Sequence, residues 1–283
     1  MLLIVDMRGN VMRNRCHLAI AVSLAAAFAA GPAAGSQAND LDPGCVQKLA
    51  AAGAPADFAD LVGTLPAMEK KTPYESTADY ERRLAAASGT SSAALLLARK
   101  PTRVGEGLSY DAERRILKIY ATAFGAGAIN FTMIFGMAPH GQDAFASAVA
   151  FSLEATEESK DSYEATNGFG AKAMVNRTTR RVHAVWERHG KRGESQFAGK
   201  NAFTPLAEIV IAPDLARDVI ERGTIAFLAV PTPPFKATGV DGVAPDFQRP
   251  RERVDNVTAL IADVQCAYVR QSDGTAIAAF AVR

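Results

Sequence analysis

Apolar residues recur every three or four positions between residues 42 and 100, which is the spacing of amphipathic helices. PGCVQKLAAAG and PADFADLVGTL each contain one short run of this kind, and the proline and glycine of the first suit a helix start and stop. A third run begins at Ser76, with Asp79 three residues later as an N-cap pair, and ends at Gly89. We therefore predict a helical N-terminal segment over residues 39–100.

After residue 100 the pattern changes to alternating apolar and polar positions with many β-branched side chains, which is typical of strands. The stretch LSYDAERRILKIYATAFG predicts a hairpin, because Asp111 to Arg114 supply turn residues between two strand-like flanks. Further strands are predicted over residues 128–137, 146–155, 171–178, 180–188, 203–212 and 224–230.

One short helix interrupts the strand pattern over residues 213–222, where Pro213 suits the first helical turn and Gly223 the end. The proline-rich residues 231–253 are interpreted as an extended loop, because proline removes a backbone donor. A final hairpin is predicted around Asp273 and Gly274.

Helices that precede about eight strands predict an α+β fold. We expect the N-terminal helical segment to be followed by a mainly antiparallel β-sheet, either a sandwich or a partly closed sheet, with one short helix inserted near 213–222. The β domain is expected to cover residues 101–283 and to form one compact unit with residues 39–100.

The first 38 residues are predicted to be a secretory signal peptide. A basic MRNRCH is followed by an apolar run from Leu18 to Ala30 and by small residues that suit cleavage after Ala38. The apolar run is shorter than the roughly 20 residues that span a membrane, so no transmembrane segment is expected after signal removal. The alanine-rich leader is typical of bacteria and predicts a periplasmic or secreted protein. Residues 1–11 precede the basic region, and the alternatives for the start codon are Met1, Met7 and Met12.

Two cysteines remain after signal removal. Cys45 and Cys266 lie near opposite ends of that chain, and an isolated pair in an oxidising compartment is more often a disulfide than two free thiols. A catalytic thiol is the weaker alternative, because neither cysteine has a histidine nearby in sequence. The signal contains three arginines and one aspartate, so its removal changes the net charge from +1 to about −1. This charge argues against a nucleic-acid-binding protein.

The stretch NGFGAKA fits the spacing of a dinucleotide-binding turn at Gly168, Gly170 and Ala173. Such a turn needs a buried strand before it and a helix after it. Here a polar, acidic stretch precedes the glycines and a strand-like stretch follows them. We therefore interpret the glycines as a turn or bulge that leads into a strand, and we expect no nucleotide cofactor.

A basic stretch follows this turn. If residues 174–177 and 180–188 pair as a hairpin across Thr178 and Thr179, several basic side chains share a face with Trp186. That face would suit an anionic surface such as lipid phosphate, a glycan carboxylate or an acidic protein. The candidate residues are Lys172, Arg177, Arg180, Arg181, Arg188, Lys191 and Arg192.

The alternative interpretation of the basic stretch is neutralisation by the acidic run immediately upstream, which would leave an ordinary solvated surface. That run contains Glu154, Glu157, Glu158, Asp161 and Glu164. Both interpretations remain open from the sequence, and the neutralised surface is the one it favours.

Catalytic signals are sparse. The histidines beyond the signal are His140, which is close to Asp143, and the pair His183 and His189. They are not accompanied by a G-x-S-x-G, S-x-x-K, H-E-x-x-H or C-x-x-C motif. The sequence therefore predicts no catalytic residues, no cofactor and no metal site.

These observations predict an exported globular protein that serves as a non-catalytic binding or interaction module of the bacterial cell envelope. Its expected partner is another envelope component or an anionic surface. The alternative is an envelope hydrolase whose residues converge only in the fold, with His140 or His183 as the base.

Overall fold

A computed structural model describes residues 41–66, 68–69, 71–87, 93–99, 107–127, 149–187, 196–197 and 204–282. All of them belong to a compact unit that comprises Ser36–Arg283. The signal peptide predicted over residues 1–38 lies outside these ranges, as does the strand predicted over residues 128–137. The described residues form a mixed, mostly β structure in which three helices precede the larger sheet strands, in agreement with the α+β prediction.

The first three helices begin at side-chain capping interactions, and the fourth begins at Pro213 without one. The described part of the chain contains α1 (Pro43–Ala51), α2 (Phe58–Thr64), α3 (Thr77–Ala87) and α4 (Pro213–Arg222). The carboxylates of Asp42 and Asp57 accept hydrogen bonds from backbone amides in the first turns of α1 and α2, and the hydroxyl of Ser76 accepts one from the amide of Asp79 at 3.1 Å. Each cap satisfies a backbone donor that has no partner within the helix.

The strands form two sheets. They are β1 (Leu95–Arg99), β2 (Leu108–Asp111), β3 (Ile116–Tyr120), β4 (Ala126–Gly127), β5 (Val149–Thr166), β6 (Lys172–Glu187), β7 (Pro205–Val210), β8 (Thr224–Val243), β9 (Arg251–Arg270) and β10 (Ala276–Ala281). The larger sheet has the order β1-β8-β9-β6-β5-β4, with β10 also paired to β9, and the smaller sheet has the order β2-β3-β7. The pairing of β6 with β9 is parallel, and every other pairing between two of these strands is antiparallel. One isolated parallel bridge joins Leu41 to Ala279 of β10.

The main core contains side chains from both sheets. Leu117 and Ile209 of the smaller sheet belong to the same buried cluster as Phe151 and Phe227 of the larger one. Phe124 contacts Phe227 edge to face with ring centroids 6.2 Å apart. Phe124 lies in a short 3-10 helix (Ala121–Phe124) that follows β3, so this contact packs the connection after the smaller sheet against the larger sheet and buries apolar surface.

The predicted pairing of Cys45 with Cys266 is seen in the structure. The two sulfur atoms lie at disulfide distance and the Cα atoms are 5.7 Å apart, so α1 is held against β9. Beside this pair the hydroxyl of buried Tyr268 donates to the carbonyl oxygen of Cys45 at 2.9 Å. Burial raises the pKa of Tyr268 to about 12, with a smaller contribution from the charge of Asp42.

Three predictions of local structure are wrong. Residues 95–99 form a strand inside the segment predicted to be helical, where the short run of leucines does not distinguish a helix from a buried strand. Thr178 and Thr179 lie in the middle of the single strand β6, so the hairpin proposed across them does not form. Much of the predicted loop over residues 231–253 belongs to β8 and β9, because a shift in register between Pro231 and Lys236 accommodates its prolines.

Two long hairpins extend beyond the core. One is formed by β5 and β6 and the other by β8 and β9, and they lie side by side through the parallel β6–β9 pairing. We call residues 156–181 and 238–256 the distal arm. Its ten-residue part of β6 spans about 33 Å at 3.3 Å per residue. Most of its side chains are exposed, so the arm is available as a contact surface.

Candidate functional site

Most basic side chains of the distal arm are paired with carboxylates. Four of the residues predicted as an anionic-partner surface form ion pairs, which are Lys172 with Glu164 at 2.7 Å, Arg177 with Glu252 at 2.6 Å, Arg180 with Asp255 at 2.7 Å and Arg181 with Glu158 at 3.6 Å. The other three candidates, Arg188, Lys191 and Arg192, lie outside the described residues. Whether the candidate residues bind an anion stays a prediction.

The acidic partners come from two different strands. Glu158 and Glu164 belong to the acidic run on β5, as the neutralisation alternative expected. Glu252 and Asp255 come from β9, some 75 residues away along the chain. Only the parallel pairing of β6 with β9 brings them beside Arg177 and Arg180, and local sequence carries no signal for that pairing.

A groove of about 840 Å³ lies on the distal arm. Its charged lining consists of five basic and three acidic residues, namely Lys160, Arg177, Arg180, Arg251, Arg253, Glu157, Asp161 and Glu252. Ser162, Asn176 and Thr178 add hydrogen-bonding groups to the same surface. The groove is therefore a polar site whose lining contains more basic than acidic side chains.

Two arginines of the groove lining, Arg180 and Arg253, share the carboxylate of Asp255 beneath them. Arg180 donates two hydrogen bonds to Asp255, at 2.7 and 2.8 Å, and the Nε atom of Arg253 lies 3.0 Å from the same carboxylate. Asp255 is only 5% exposed. Its hydrogen bond raises the pKa of Arg180, and the charges of Asp255 and Asp241 act in the same direction.

Arg251 differs from the other arginines of the groove. Its guanidinium forms no ion pair or hydrogen bond with any residue in the described part of the chain. The distal arm as a whole contains eight basic and eight acidic residues, so it has no net charge. An anion in this groove would thus be attracted by local geometry around Arg251, and not by a field of the whole protein.

An aromatic and ionic cluster includes two of the groove-lining residues, Arg177 and Glu252. The guanidinium of Arg177 lies 4.6 Å from the ring centroid of Tyr163, and the Tyr163 hydroxyl donates to Glu252 at 3.0 Å. The hydrogen bond from Arg177 holds the pKa of Glu252 below its ordinary value, and the Tyr163 hydroxyl contributes less to this decrease. These contacts link β5, β6 and β9 near the end of the arm.

His183 is the one candidate catalytic histidine within the described residues. Its ring stacks on Phe58 with centroids 4.7 Å apart, and its Nδ1 atom lies 3.5 Å from Glu154. A cavity of about 180 Å³ adjoins them, and its described lining contains no hydroxyl, thiol or amine side chain that would act as a nucleophile. His140 and His189 lie outside the described ranges, so a role of His140 as the base stays a prediction.

Several sequence features take structural roles. The stretch NGFGAKA is the turn between β5 and β6, with Gly170 at a φ of +82° that favours glycine. Trp186 is buried in a cluster on β6 and is not part of the arm surface. The sequence interpretation missed Lys160, Arg251 and Arg253 as groove residues, because β5 beyond residue 155 and the residues around 250 had no predicted strand to position them.

Among the described residues there is no group of three or more His, Cys, Asp or Glu side chains arranged to hold a metal ion. No helix of the described ranges is long and apolar enough to cross a membrane. Comparisons of the whole chain with protein-family models, with curated proteins and with solved structures give no significant match.

Proposed function

We propose that this protein is an exported binding module of the cell envelope, in the periplasm or outside the cell, and that its distal arm contacts an anionic partner. The leader-like sequence over residues 1–38 and the Cys45–Cys266 pair support export to an oxidising compartment. The polar lining of the groove and its position on a long pair of hairpins support binding.

The observation that carries this proposal is the arrangement of arginines in the groove. Arg180 and Arg253 share a single buried carboxylate, and Arg251 has no carboxylate partner in the described ranges. This leaves donors on Arg251 and Arg253 that an incoming carboxylate, sulfate or phosphate group would accept. The carboxylate of Asp255 holds the guanidinium groups of Arg180 and Arg253 in place before binding, which lowers the entropic cost of ordering them.

The test is binding of the purified chain to a soluble polyanion, with poly-L-glutamate and dextran sulfate as probes. We expect Arg251→Glu combined with Lys160→Glu to weaken binding about tenfold or more, because each substitution reverses a charge in the groove. Neither substitution removes a partner of buried Asp255, so the arm is expected to stay folded.

The matched control is Arg82→Glu combined with Arg217→Glu, which changes the net charge equally on α3 and α4. Both control residues are exposed. Equal weakening by the control would show that net charge and not the groove attracts the probe. Unchanged binding by the groove variant would exclude the groove as the site.

The alternative, an envelope hydrolase with His183 as base, rests on the contact of His183 with Glu154 beside a small cavity. It has less support, because the described lining of that cavity offers no hydroxyl, thiol or amine nucleophile. His183→Ala is the test for this alternative, and full activity of the variant in any detected hydrolytic reaction would exclude it.

A further inference from the structure

Two turns at the end of the distal arm expose aromatic side chains to solvent. Phe169, in the turn between β5 and β6, is 99% exposed, and Phe247, in the turn between β8 and β9, is 61% exposed. The parallel register that pairs Asn176 with Arg251 places both turns at the same end of the arm. Neighbouring strands expose Met174, Val240 and Val243 as well. The end of the arm is thus its most apolar exposed part.

Both turns are held by internal hydrogen bonds. The side chain of Asn167 accepts hydrogen bonds from the amides of Phe169 and Ala171, at 3.0 and 2.9 Å, and its carbonyl oxygen accepts one from Gly170. In the second turn the carboxylate of Asp246 accepts from the amides of Gln248 and Arg249, at 2.9 and 2.7 Å. Each turn therefore presents its phenylalanine on an ordered backbone.

These hydrogen bonds lower the free-energy cost of moving the turns from water into an apolar medium. Backbone amides that already have partners lose little when water is removed from around them, whereas unpaired amides would oppose transfer into an apolar medium. Phenylalanine gains from the same transfer in proportion to the apolar area that leaves water. The two turns combine both properties.

The charges around the turns favour an anionic surface. Residues 163–175 and 244–251 contain three basic residues, Lys172, Arg249 and Arg251, and two acidic ones, Glu164 and Asp246. The Arg249 side chain is 84% exposed, and its Nε atom lies 3.4 Å from one carboxylate oxygen of Asp246. The other oxygen of Asp246 accepts hydrogen bonds from the backbone amides of the turn. Long basic side chains that flank exposed apolar residues are able to reach phosphate groups while the apolar residues lie deeper.

We propose that the end of the distal arm binds the surface of an anionic lipid bilayer, with Phe169 and Phe247 inserted at the level of the headgroups and Arg249 and Arg251 in contact with lipid phosphates. This inference rests on the proposed function, since it names the partner of the same arm. A bilayer fits the two turns because it accepts apolar side chains at any spacing, whereas a protein partner would need two complementary pockets at a fixed distance.

The experiment is co-sedimentation of the purified chain with vesicles of phosphatidylglycerol and phosphatidylcholine, compared with vesicles of phosphatidylcholine alone. We expect binding to the mixed vesicles that decreases with added salt. Phe169→Ser and Phe247→Ser should each weaken binding about tenfold, and Tyr74→Ser should not. Tyr74 is the matched control, because it is also an aromatic residue that is 99% exposed, and it lies outside the arm.

A spectroscopic measurement reports insertion directly. Phe169→Trp places an indole at the end of the arm, and its fluorescence emission should shift to shorter wavelength on addition of mixed vesicles. Trp186 is the only natural tryptophan and is buried, so the spectrum of the unmodified chain serves as the baseline. The lipid inference would be overturned if the emission of the vesicle-bound Phe169→Trp variant did not shift. It would also be overturned if the Phe169→Ser and Phe247→Ser variants bound mixed vesicles as strongly as the unmodified chain.

The same set of proteins separates this inference from the proposed function. A chain that binds poly-L-glutamate through Arg251 and Lys160 but does not bind vesicles retains the proposed function and overturns the lipid inference. A second outcome would also overturn the lipid inference. In it, the unmodified chain does not bind vesicles but is cross-linked to an envelope protein, and the Phe169→Ser and Phe247→Ser variants lose that cross-link. This result would assign the turns to a protein partner.

Discussion

We call the described residues outside the distal arm the body of the molecule. Strand β5 crosses from the body into the distal arm, and the burial of its side chains changes within a few residues. Phe151 is fully buried in a cluster that includes Phe197 and Phe227. Every residue from Glu157 to Ser162 is exposed. The body is stabilised by apolar burial and by the Cys45–Cys266 connection, whereas the arm is stabilised by backbone pairing and by ion pairs across strands.

This difference affects how much each region contributes to the stability of the fold and how that contribution depends on salt and pH. Apolar burial is cooperative and largely independent of pH, and it supplies most of the stability of a folded domain. Ion pairs at an exposed surface contribute little each and depend on salt and pH. We therefore infer that the body fixes the fold, while the arm is free to vary its surface chemistry for binding.

The largest expected effect concerns the body. Cys45→Ser combined with Cys266→Ser should lower the free energy of unfolding by about 4–5 kcal/mol, because a disulfide across a sequence separation of 221 residues strongly restricts the unfolded chain. Urea denaturation measures this loss, and a reducing agent should have no further effect on the double variant. A loss below about 1 kcal/mol would show that the pairing does not restrict the unfolded chain as expected.

The second effect compares two aromatic residues of the same strand. Phe151→Ala should lower the free energy of unfolding by about 3–5 kcal/mol, because it leaves a cavity in the core. Tyr163→Ala should cost about 1 kcal/mol, because it removes one hydrogen bond and one cation–π contact at a partly exposed site. Urea denaturation of both variants under one set of conditions gives the ratio of the two decreases in the free energy of unfolding. Similar costs at the two sites would mean that the arm is as tightly packed as the body.

The smallest effect is a dependence of the arm on acid. The pKa of Glu252 is lowered in the folded protein by its hydrogen bond from Arg177. Its contribution to stability is therefore fully present above the ordinary carboxyl pKa of about 4.5 and is lost as the pH falls through the lower folded value. Amide hydrogen exchange in β5 near Tyr163 should accelerate in that acidic range before exchange near Phe227 does.

Glu252→Gln should remove this acid dependence from the arm. Asp218→Asn is the matched control, because the pKa of Asp218 is also lowered, chiefly by hydrogen bonds from the amide and hydroxyl of Ser272, and its contacts join α4 to the turn after β9. That substitution should leave the exchange profile of the arm unchanged. An arm profile that responds equally to both variants would show that the two regions unfold together in acid.

Local sequence signals predicted those elements whose determinants lie close together along the chain. The N-cap at Ser76 correctly placed α3, the proline at the first position of α4 correctly placed that helix, and Asp273-Gly274 correctly placed the last hairpin. The glycine stretch was correctly assigned to a turn that leads into a strand, because the residues on each side of it lacked the context of a nucleotide site. The Cys45–Cys266 pairing followed from the small number of cysteines.

The sequence by itself thus determined the starts of the helices, the tight turns and the pairing of the two cysteines, because each depends on neighbouring residues or on a count. The tertiary structure alone decided the length of the two hairpins, the parallel pairing of β6 with β9, and the groove that this pairing forms. Asp255 and Glu252 meet Arg180 and Arg177 across some 75 residues of chain, and a contact between distant residues leaves no periodic trace in either segment.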